Sequence, residues 1–256
     1  MLATISYCFD QSRISYIMIE IIKHTLKMIK KTLLKIDKKL FPEFHTSIHS
    51  EDDLEKTIRL ELGDIPNVRI LDVGCGETET SPLRMIAPRV KYIVGVDLFD
   101  PYLEKNREKK VYNEYIKMNA MDIDKHFEEN SFDVVIATDL LEHLSKEDGK
   151  LFIEKAKKIA YKKLILFTPN GYINQDEYHG NEYQVHKSGW TTKELKTEGF
   201  NRIYGINGLK FLRGEQARIK FKPQKIWERI SYISSKLTKR LPRVSFQLLA
   251  VMEITS

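Results

Sequence analysis

Short apolar runs alternate with amphipathic stretches of helical length through the middle of the chain. The apolar runs predict buried strands, at 68–73, 92–96, 115–118, 132–137 and 164–167. The amphipathic stretches predict helices, at 81–88, 101–110 and 145–161. This alternation indicates an α/β fold with a doubly wound, mostly parallel sheet and helices on both of its faces.

The rhythm changes near the C-terminus. The elements predicted there are a short helix and two strands, at 192–197, 202–206 and 244–254, which brings the sheet to seven strands. With 256 residues, 42% of them hydrophobic, the chain can bury one full core. We predict a helical N-terminal extension at residues 1–45 and one domain at residues 46–256, with a basic helical insertion at about 209–243.

Two predicted helices carry an apolar stripe on an otherwise basic surface. In the first, at 22–40, apolar residues recur at spacings of four and three: Ile22, Leu26, Ile29, Leu33, Ile36 and Leu40. The second follows Pro223 and stops at Pro242, and its stripe consists of Ile226, Ile230, Ile233, Leu237 and Leu241. Stripes of this kind are typical of helices that cover an apolar surface.

The positive charge is concentrated in these two segments. The formal net charge is +6, but residues 21–40 carry +6 and residues 209–243 carry +9, so the remainder carries −9. Three interpretations of the first helix stay open: packing against the domain, a coiled-coil contact in a homodimer, and attachment to an anionic membrane surface. We expect a cytoplasmic protein, with peripheral contact at the membrane surface under the third interpretation.

Cysteine content and the N-terminal sequence bear on compartment and metals. Cys8 and Cys75 are too few and too far apart for a disulfide framework or a zinc site, so we predict a reducing compartment and no bound metal. The N-terminus lacks the early positive region and the small-residue cleavage site of a signal peptide. No stretch approaches the roughly 18 uncharged apolar residues of a membrane-spanning helix.

The sequence ILDVGCGETET, at 70–80, leads from the first predicted strand into a polar loop. Gly74 and Gly76 remove side chains where a ligand approaches the backbone, and a helix beginning near Ser81 is expected to direct its amides there. A dinucleotide is disfavoured as the ligand, because the G-x-G-x-x-G pattern of dinucleotide-binding loops would need a third glycine at position 79, where this chain has Glu79. Asp97 ends the next strand and can accept hydrogen bonds from ribose hydroxyls.

Four ordered motifs, ILDVGCGETET, YIVGVDLFD, NAMDID and FDVVIATDLLEHL, resemble those of the class I S-adenosylmethionine-dependent methyltransferases. The resemblance spans roughly residues 66–207 and implies a Rossmann-like seven-stranded sheet with S-adenosylmethionine as cofactor. By this resemblance Asp72 helps to hold the methionine amino group, Asp97 the ribose and Asp122 the adenine amino group. The implied cofactor-binding residues are Asp72, Gly74, Cys75, Gly76, Asp97, Leu98, Ala120, Met121, Asp122, Thr138, Asp139 and Leu140.

A long polar and aromatic loop at 167–195 follows the fifth predicted strand. Loops of this length in a compact fold tend to be functional, and VHKSGWTTKEL resembles the loop that closes over the acceptor in small-molecule methyltransferases. His186 is the candidate general base, since a histidine can take the acceptor's proton near neutral pH. The alternative is that His186 only hydrogen-bonds the loop. Candidate substrate-binding residues are Asn170, His179, Tyr183 and Trp190.

The sequence favours transfer of a methyl group to an oxygen or nitrogen atom of a small molecule, such as a lipid-linked acceptor or a glycan precursor. Enzymes of this fold that methylate amino groups on nucleic-acid bases usually carry a [DNS]-P-P-[YFW] tetrapeptide after the fourth strand. Here that place reads ATDL, so this reaction is disfavoured. Two alternatives stay open. One is an RNA methyltransferase, disfavoured because aromatic residues do not alternate with the lysines of the first helix. The other is a non-catalytic module that keeps the fold to bind a nucleoside or a partner.

Overall fold

A computed structural model describes residues 11–41, 53–63, 67–79, 81–84, 86–177, 180–214 and 217–254. The chain divides into two compact units, residues 1–50 and 51–256. The first contains helix α1, Gln11–Leu40, which includes the helix predicted at 22–40 and begins earlier. The side chains of its predicted apolar stripe are 49–63% exposed. None of the helices in the described ranges is long and apolar enough to cross a membrane.

The second unit is built on a seven-stranded sheet. Its strands are β1 (Arg69–Val73), β2 (Tyr92–Asp97), β3 (Glu114–Lys117), β4 (Phe132–Thr138), β5 (Ala160–Pro169), β6 (Arg202–Leu209) and β7 (Ser245–Glu253). They lie in the order β3-β2-β1-β4-β5-β7-β6, with β7 antiparallel to both of its neighbours and the other pairs parallel. The predicted fold and its seven strands are therefore confirmed.

The central strands are apolar on both faces because helices cover both sides of the sheet. Strand β4 illustrates this, since Val134 and Val135 point to opposite faces and lie in separate hydrophobic clusters. The helices of this unit are α2 (Asp53–Leu62), α3 (Asp100–Lys109), α4 (Ile123–His126), α5 (Lys146–Ile159), α6 (Thr192–Thr197) and α7 (Gln224–Thr238). The carboxyl ends of β1, β2 and β4 meet at one edge of the sheet, where parallel folds bind ligands.

The helix predicted at 81–88 is not present. Its described residues form turns and a short 3-10 helix, Ala87–Arg89. The Ser81 hydroxyl accepts the amide of Leu83, as a helix-capping side chain does, but Pro88 has no N–H to donate and cannot continue an α-helix. The loop after β1 is consequently shaped by side chains rather than by the start of an α-helix.

Helix α7 packs on β6 through small polar residues. Ser231 and Thr238 are buried, and a Cβ atom added to Gly208 or Gly205 would lie 2.3 Å from the Ser231 carbonyl oxygen or 2.2 Å from that of Thr238. These close approaches turn the predicted apolar stripe outward. Its residues are exposed: Ile226, Ile230, Ile233, Leu237 and Leu241.

Candidate active site

The loop after β1 is fastened to the end of β2. The amides of Gly74 and Cys75 donate to the Val96 carbonyl oxygen at 2.8 and 3.0 Å, and the amide of Gly76 donates to Asp97 Oδ2 at 2.9 Å. Gly74 has a φ of +73°, and a Cβ there would lie 3.1 Å from the Leu140 side chain. A larger residue would be strained at this position and would also narrow the gap between the loop and β4.

Asn106 of α3 holds the same loop from its other side. Its amide oxygen accepts from the Thr78 amide and hydroxyl at 2.9 Å, and its Nδ2 donates to the Gly76 carbonyl oxygen at 2.7 Å. Both Thr78 and Asn106 are buried. Thr78 stands where many members of the resembled family have a third glycine, and Asn106 supplies the contacts that fix the loop. The sequence carried no signal for Asn106, because its role depends on a contact 28 positions away.

Asp97 lines a cavity of about 260 Å³ between the loop and the ends of β2 and β3. Its Oδ1 accepts the amide of Phe99 at 2.9 Å, which fixes the carboxylate. Burial raises the pKa of Asp97, while backbone N–H donors act in the opposite direction. Seven predicted cofactor-binding residues line this cavity besides Asp97: Gly74, Gly76, Leu98, Ala120, Met121, Asp139 and Leu140.

A wider cleft of about 1000 Å³ continues from that cavity along the other side of the loop. Two further predicted residues line it, Cys75 and Thr138, and Asp139 lines both spaces. Asp139 follows β4 with a φ of +51°, a left-handed conformation that is uncommon outside glycine and is often found at functional sites.

Asp72 lies beneath the loop rather than in either cavity. Its side chain is fully buried, and its Oδ2 accepts the Tyr112 hydroxyl at 2.8 Å. Its Oδ1 has no hydrogen-bond partner among the described residues. Burial raises the pKa of Asp72 to about 7. A buried carboxylate oxygen without a partner is costly and indicates a position that a donor can fill.

Asp122 is placed away from the predicted adenine edge. It forms an ion pair with Lys125 at 2.6 Å, its side chain is 48% exposed, and it lines none of the cavities described here. The neighbouring Met118 and Asn119 line the 260 Å³ cavity and were not predicted. Asp122 points away from the cavity because of the turn at Asn119. The Asn119 side chain accepts the Met121 amide, and this turn directs the backbone of the segment toward the cavity instead of Asp122.

A third cavity, of about 440 Å³, opens beside the end of β4. Glu142, His143 and His186 lie on its wall with Asp139. The rings of His143 and His186 have their centroids 4.9 Å apart. Glu142 Oε2 accepts the Thr168 hydroxyl at 3.0 Å. Although the sequence predicted no bound metal, Glu142, His143 and His186 form a group that could hold an ion.

Both imidazoles are held by backbone carbonyl groups. His143 Nδ1 lies 3.2 Å from the Val185 carbonyl oxygen, and His186 Nδ1 lies 2.7 Å from that of Ile173. Since a carbonyl oxygen only accepts, each Nδ1 carries the proton and each Nε2 has a free lone pair. Burial lowers the pKa of His143 to about 4 and also lowers the pKa of His186, so both rings are neutral at pH 7.

The two carboxyl groups next to these imidazoles affect each other. Burial is the main reason why the pKa of Glu142 is raised, and the negative charge of Asp139 raises it further. Removal from water likewise raises the pKa of Asp139, although this side chain faces the open cavities. The wall of the cavity can therefore hold, accept or release a proton near neutral pH.

Two predicted substrate-binding residues are structural instead. The Trp190 ring is fully buried against α5, where Gly149 leaves room for it, and its Nε1 donates to the Ser188 hydroxyl at 3.1 Å. The Asn170 Nδ2 donates to three carbonyl oxygens of the segment 242–245. Tyr183 lines the 260 Å³ cavity, and His179 lies outside the described residues.

All three cavities meet at Asp139 and Gln184, which line each of them. A ligand spread over the first two cavities would thus have one end facing His143 and His186. Gln184 was not predicted, although it belongs to the loop that the sequence singled out at 167–195.

Residues 71–163 match the family described as Methyltransferase domain. A small RNA 2'-O-methyltransferase of Rattus norvegicus is 27% identical over 119 residues, which are 41% of this chain and 30% of that protein, so the similarity spans less than a third of the rat enzyme. A SAM-dependent methyltransferase from Archaeoglobus fulgidus has a similar structure, with a TM-score of 0.51 and 16% identity over 86% of this chain and 99% of that one.

A putative S-adenosylmethionine-dependent methyltransferase from Listeria monocytogenes is similar to the same degree. Its TM-score is 0.52 at 16% identity, and the similarity covers 79% of this chain and 97% of the other. At such identities the solved structures support the fold, while the match over residues 71–163 includes the ends of β1, β2 and β4 that form the cavities.

Proposed function

We propose that this chain, which is a class I S-adenosylmethionine-dependent methyltransferase, methylates an oxygen atom of a phosphate-bearing small molecule at a membrane surface. The main support for this proposal is the junction at Asp139 and Gln184. There the cavities of about 260 and 1000 Å³, which suit the cofactor, meet the polar cavity of about 440 Å³, which suits an acceptor. A lipid-linked glycan precursor has the required chemistry.

The chain's residues fit the cofactor. Asp97 can accept hydrogen bonds from two ribose hydroxyls, and the apolar walls at Leu98 and Met121 suit adenine. Asp72 lies beneath the loop that lines both cavities, so the charge of its buried carboxylate would attract an ammonium group bound above that loop. When bound, S-adenosylmethionine supplies an electrophilic methyl group on a positively charged sulfur. The protein's part is to align the acceptor, exclude water and take up the acceptor's proton.

His186 fits the last of these tasks. Its Nε2 lone pair is free because Nδ1 donates to Ile173, and the ring lies on the wall of the acceptor cavity. An oxygen acceptor needs such a group, since its hydroxyl must lose a proton as the new bond to carbon forms. We therefore assign proton removal to the polar wall that includes His186.

A phosphate group on the acceptor is supported by a fourth cavity, of about 650 Å³, which adjoins the acceptor cavity at Ile173 and Phe246. Four basic side chains line it, Lys210, Arg213, Lys220 and Arg243, and none of its described lining residues is acidic. Burial and the charge of Lys220 lower the pKa of Lys210. An anion bound here would relieve that unfavourable burial of positive charge.

Attachment to an anionic lipid surface is supported by α7. Its exposed apolar stripe is flanked by basic residues, among them Lys225 and Lys236. Apolar contact with the acyl region and attraction of each lysine to anionic lipid, worth about 1 kcal/mol, would act together. Helix α7 follows the segment that supplies Lys210 and Lys220, so a lipid-linked phosphate would lie near its basic cavity.

Labelled methyl transfer tests the proposed function. Purified protein with methyl-tritiated S-adenosylmethionine should label a component of a lipid or small-molecule extract, in a product that resists mild alkali as a methyl ether does. The Asp139→Asn, Glu142→Gln and His186→Ala variants should label it much more weakly. Absence of label from lipid, small-molecule and RNA fractions alike would contradict an enzymatic role.

Transfer to RNA is the second candidate, because the rat relative is a small RNA 2'-O-methyltransferase. In that case the label would appear in nuclease-sensitive material. RNA binding would also weaken steeply with added salt, as expected when basic residues displace the cations condensed on RNA phosphates. Label confined to alkali-resistant lipid would favour the first candidate.

Binding of the demethylated product, S-adenosylhomocysteine, is expected to be coupled to proton release. The pKa of Asp72 is about 7 in the ligand-free protein because of burial, and the positive charge of an ammonium group held above the loop would lower that pKa. Binding at pH 6 should therefore release up to one proton, and binding at pH 8.5 close to none. Calorimetry in buffers of different ionisation enthalpy measures the number of protons released on binding. The Asp72→Asn variant should release none at pH 6, and a release equal to that of the wild type would exclude Asp72 as the source.

A further inference from the structure

We propose that Glu142, His143 and His186 bind a divalent first-row transition-metal ion on the wall of the acceptor cavity. One ligand atom from each of the three residues lies within 4.8 Å of the others, and all three residues are buried. The proposal rests on the proposed function for its role in catalysis, but the binding of the ion can be measured without it.

The geometry is close to that of a bound site. An ion held at about 2.1 Å from nitrogen and oxygen ligands separates opposite ligands by about 4.2 Å and adjacent ones by about 3 Å. The three ligand atoms here lie within 4.8 Å of one another. To reach the spacing of adjacent ligands on one side of an ion, each side chain would have to move inward by up to about 1 Å. Two imidazoles and one carboxylate on one side of an ion leave its other positions open for a substrate oxygen.

The surroundings of the imidazoles are those of metal ligands. Histidine ligands commonly donate their second N–H to a backbone carbonyl group, which fixes the ring and its tautomer. Both rings do so here, His143 to Val185 and His186 to Ile173. The loop that carries His186 is itself attached to Glu142, whose carbonyl oxygen accepts the amides of Lys187 and Ser188. The three ligands are thereby held together across 44 positions of sequence.

The local charge also indicates a cation. The carboxyl groups of Glu142 and Asp139 are neighbours, and neither forms an ion pair with a lysine or arginine in the described part of the chain. Burying one carboxylate beside another without a positive partner is unfavourable. A divalent ion between Glu142 and the two imidazoles would compensate that charge.

In the reaction, such an ion would bind the acceptor hydroxyl and make its proton easier to lose. The proton passes to water in the cavity, the hydroxyl oxygen forms a bond to the methyl carbon, and the carbon–sulfur bond breaks with its electron pair remaining on sulfur. Its position next to Asp139, where the cavities meet, is suited to that role. The ion would thus take over the task that the metal-free site leaves to His186, and the Nε2 atom of His186 would act as a ligand instead of a base.

Equilibrium dialysis of chelator-treated protein against Mn²⁺ tests the proposal, with the absorption spectrum of the Co²⁺ form as a second readout. Wild-type protein should bind close to one Mn²⁺ per chain, and His186→Ala and Glu142→Gln should each weaken binding by about 100-fold. His126→Ala is the matched control, because this histidine is exposed on α4, and its affinity should equal that of the wild type.

Either of two results would exclude the metal site. One is failure of the wild type to bind Mn²⁺, and the other is wild-type affinity for Mn²⁺ in both the His186→Ala and Glu142→Gln variants. Circular dichroism and S-adenosylhomocysteine titration of the same samples show whether each variant is folded. If His186→Ala does not fold, the Glu142→Gln variant alone provides the comparison with the wild type. Titration of the metal-free wild type with S-adenosylhomocysteine tests the proposed function separately, so the two failures can be distinguished.

Discussion

Replacement of Asp97 by alanine is expected to weaken the affinity for S-adenosylhomocysteine by roughly 100-fold, because two hydrogen bonds to a charged acceptor contribute about 3 kcal/mol. The carboxylate is held in place by the amides of Gly76 and Phe99. Its loss would therefore remove the ribose contacts and also release the loop after β1. Isothermal titration calorimetry at pH 8 measures the change.

Asp124→Ala is the control for this variant. Asp124 lies on α4, forms an ion pair with Lys155 at 2.6 Å and lines none of the cavities. Its replacement should leave the dissociation constant within twofold of the wild type. Equal affinity of the Asp97→Ala and wild-type proteins would mean that the nucleoside binds elsewhere.

Replacement of Glu61 by alanine is expected to lower the free energy of unfolding by about 3 kcal/mol. Glu61 is the buried end of α2, where it accepts the Tyr204 hydroxyl at 2.6 Å and Arg202 Nη2 at 2.7 Å, with Lys163 Nζ at 3.4 Å. Removing the carboxylate leaves the Tyr204 hydroxyl without this acceptor, while Lys163 keeps the Glu61 carbonyl oxygen and Arg202 keeps Glu253. The value is at the lower end of the range for buried ion pairs because Arg202 is partly exposed and also contacts Glu253.

Differential scanning calorimetry of the Glu61→Ala variant should show a melting temperature about 9 °C lower than that of the wild type. Glu154→Ala is the matched control, since Glu154 forms a surface ion pair with Lys157 within one helix and such pairs contribute little. A similar small change in both variants would show that Glu61 does not hold α2 against the sheet.

The fold was predictable because its strands are apolar on both faces and separated by clear helical stretches. Helix α2 was missed because it is short and follows a polar segment, and its stability depends on contacts between Glu61 and residues more than 100 positions away. For α7 the period was predicted correctly, but the packing face was not. Glycines in β6 allow Ser231 and Thr238 to approach closely, and a hydrophobic pattern cannot report such contacts.

The site was predictable where the signal is local. The glycines of the first loop and Asp97 follow directly from strand ends, and the structure places them around a common cavity. Asp122, Asn170 and Trp190 were assigned by their position in a motif or loop. In the structure Asp122 forms an ion pair with Lys125, Asn170 donates to backbone carbonyl groups, and the Trp190 ring packs over Gly149. Asn106 and Gln184 depend on distant contacts that a single sequence does not reveal.

A crystal structure with S-adenosylhomocysteine bound would show where the nucleoside lies relative to the acceptor cavity. We expect ribose hydroxyls on Asp97, adenine between Leu98 and Met121, and the sulfur atom at the junction of Asp139 and Gln184, facing the cavity that contains His186. A nucleoside bound elsewhere, or a sulfur atom separated from that cavity by protein, would contradict this expectation.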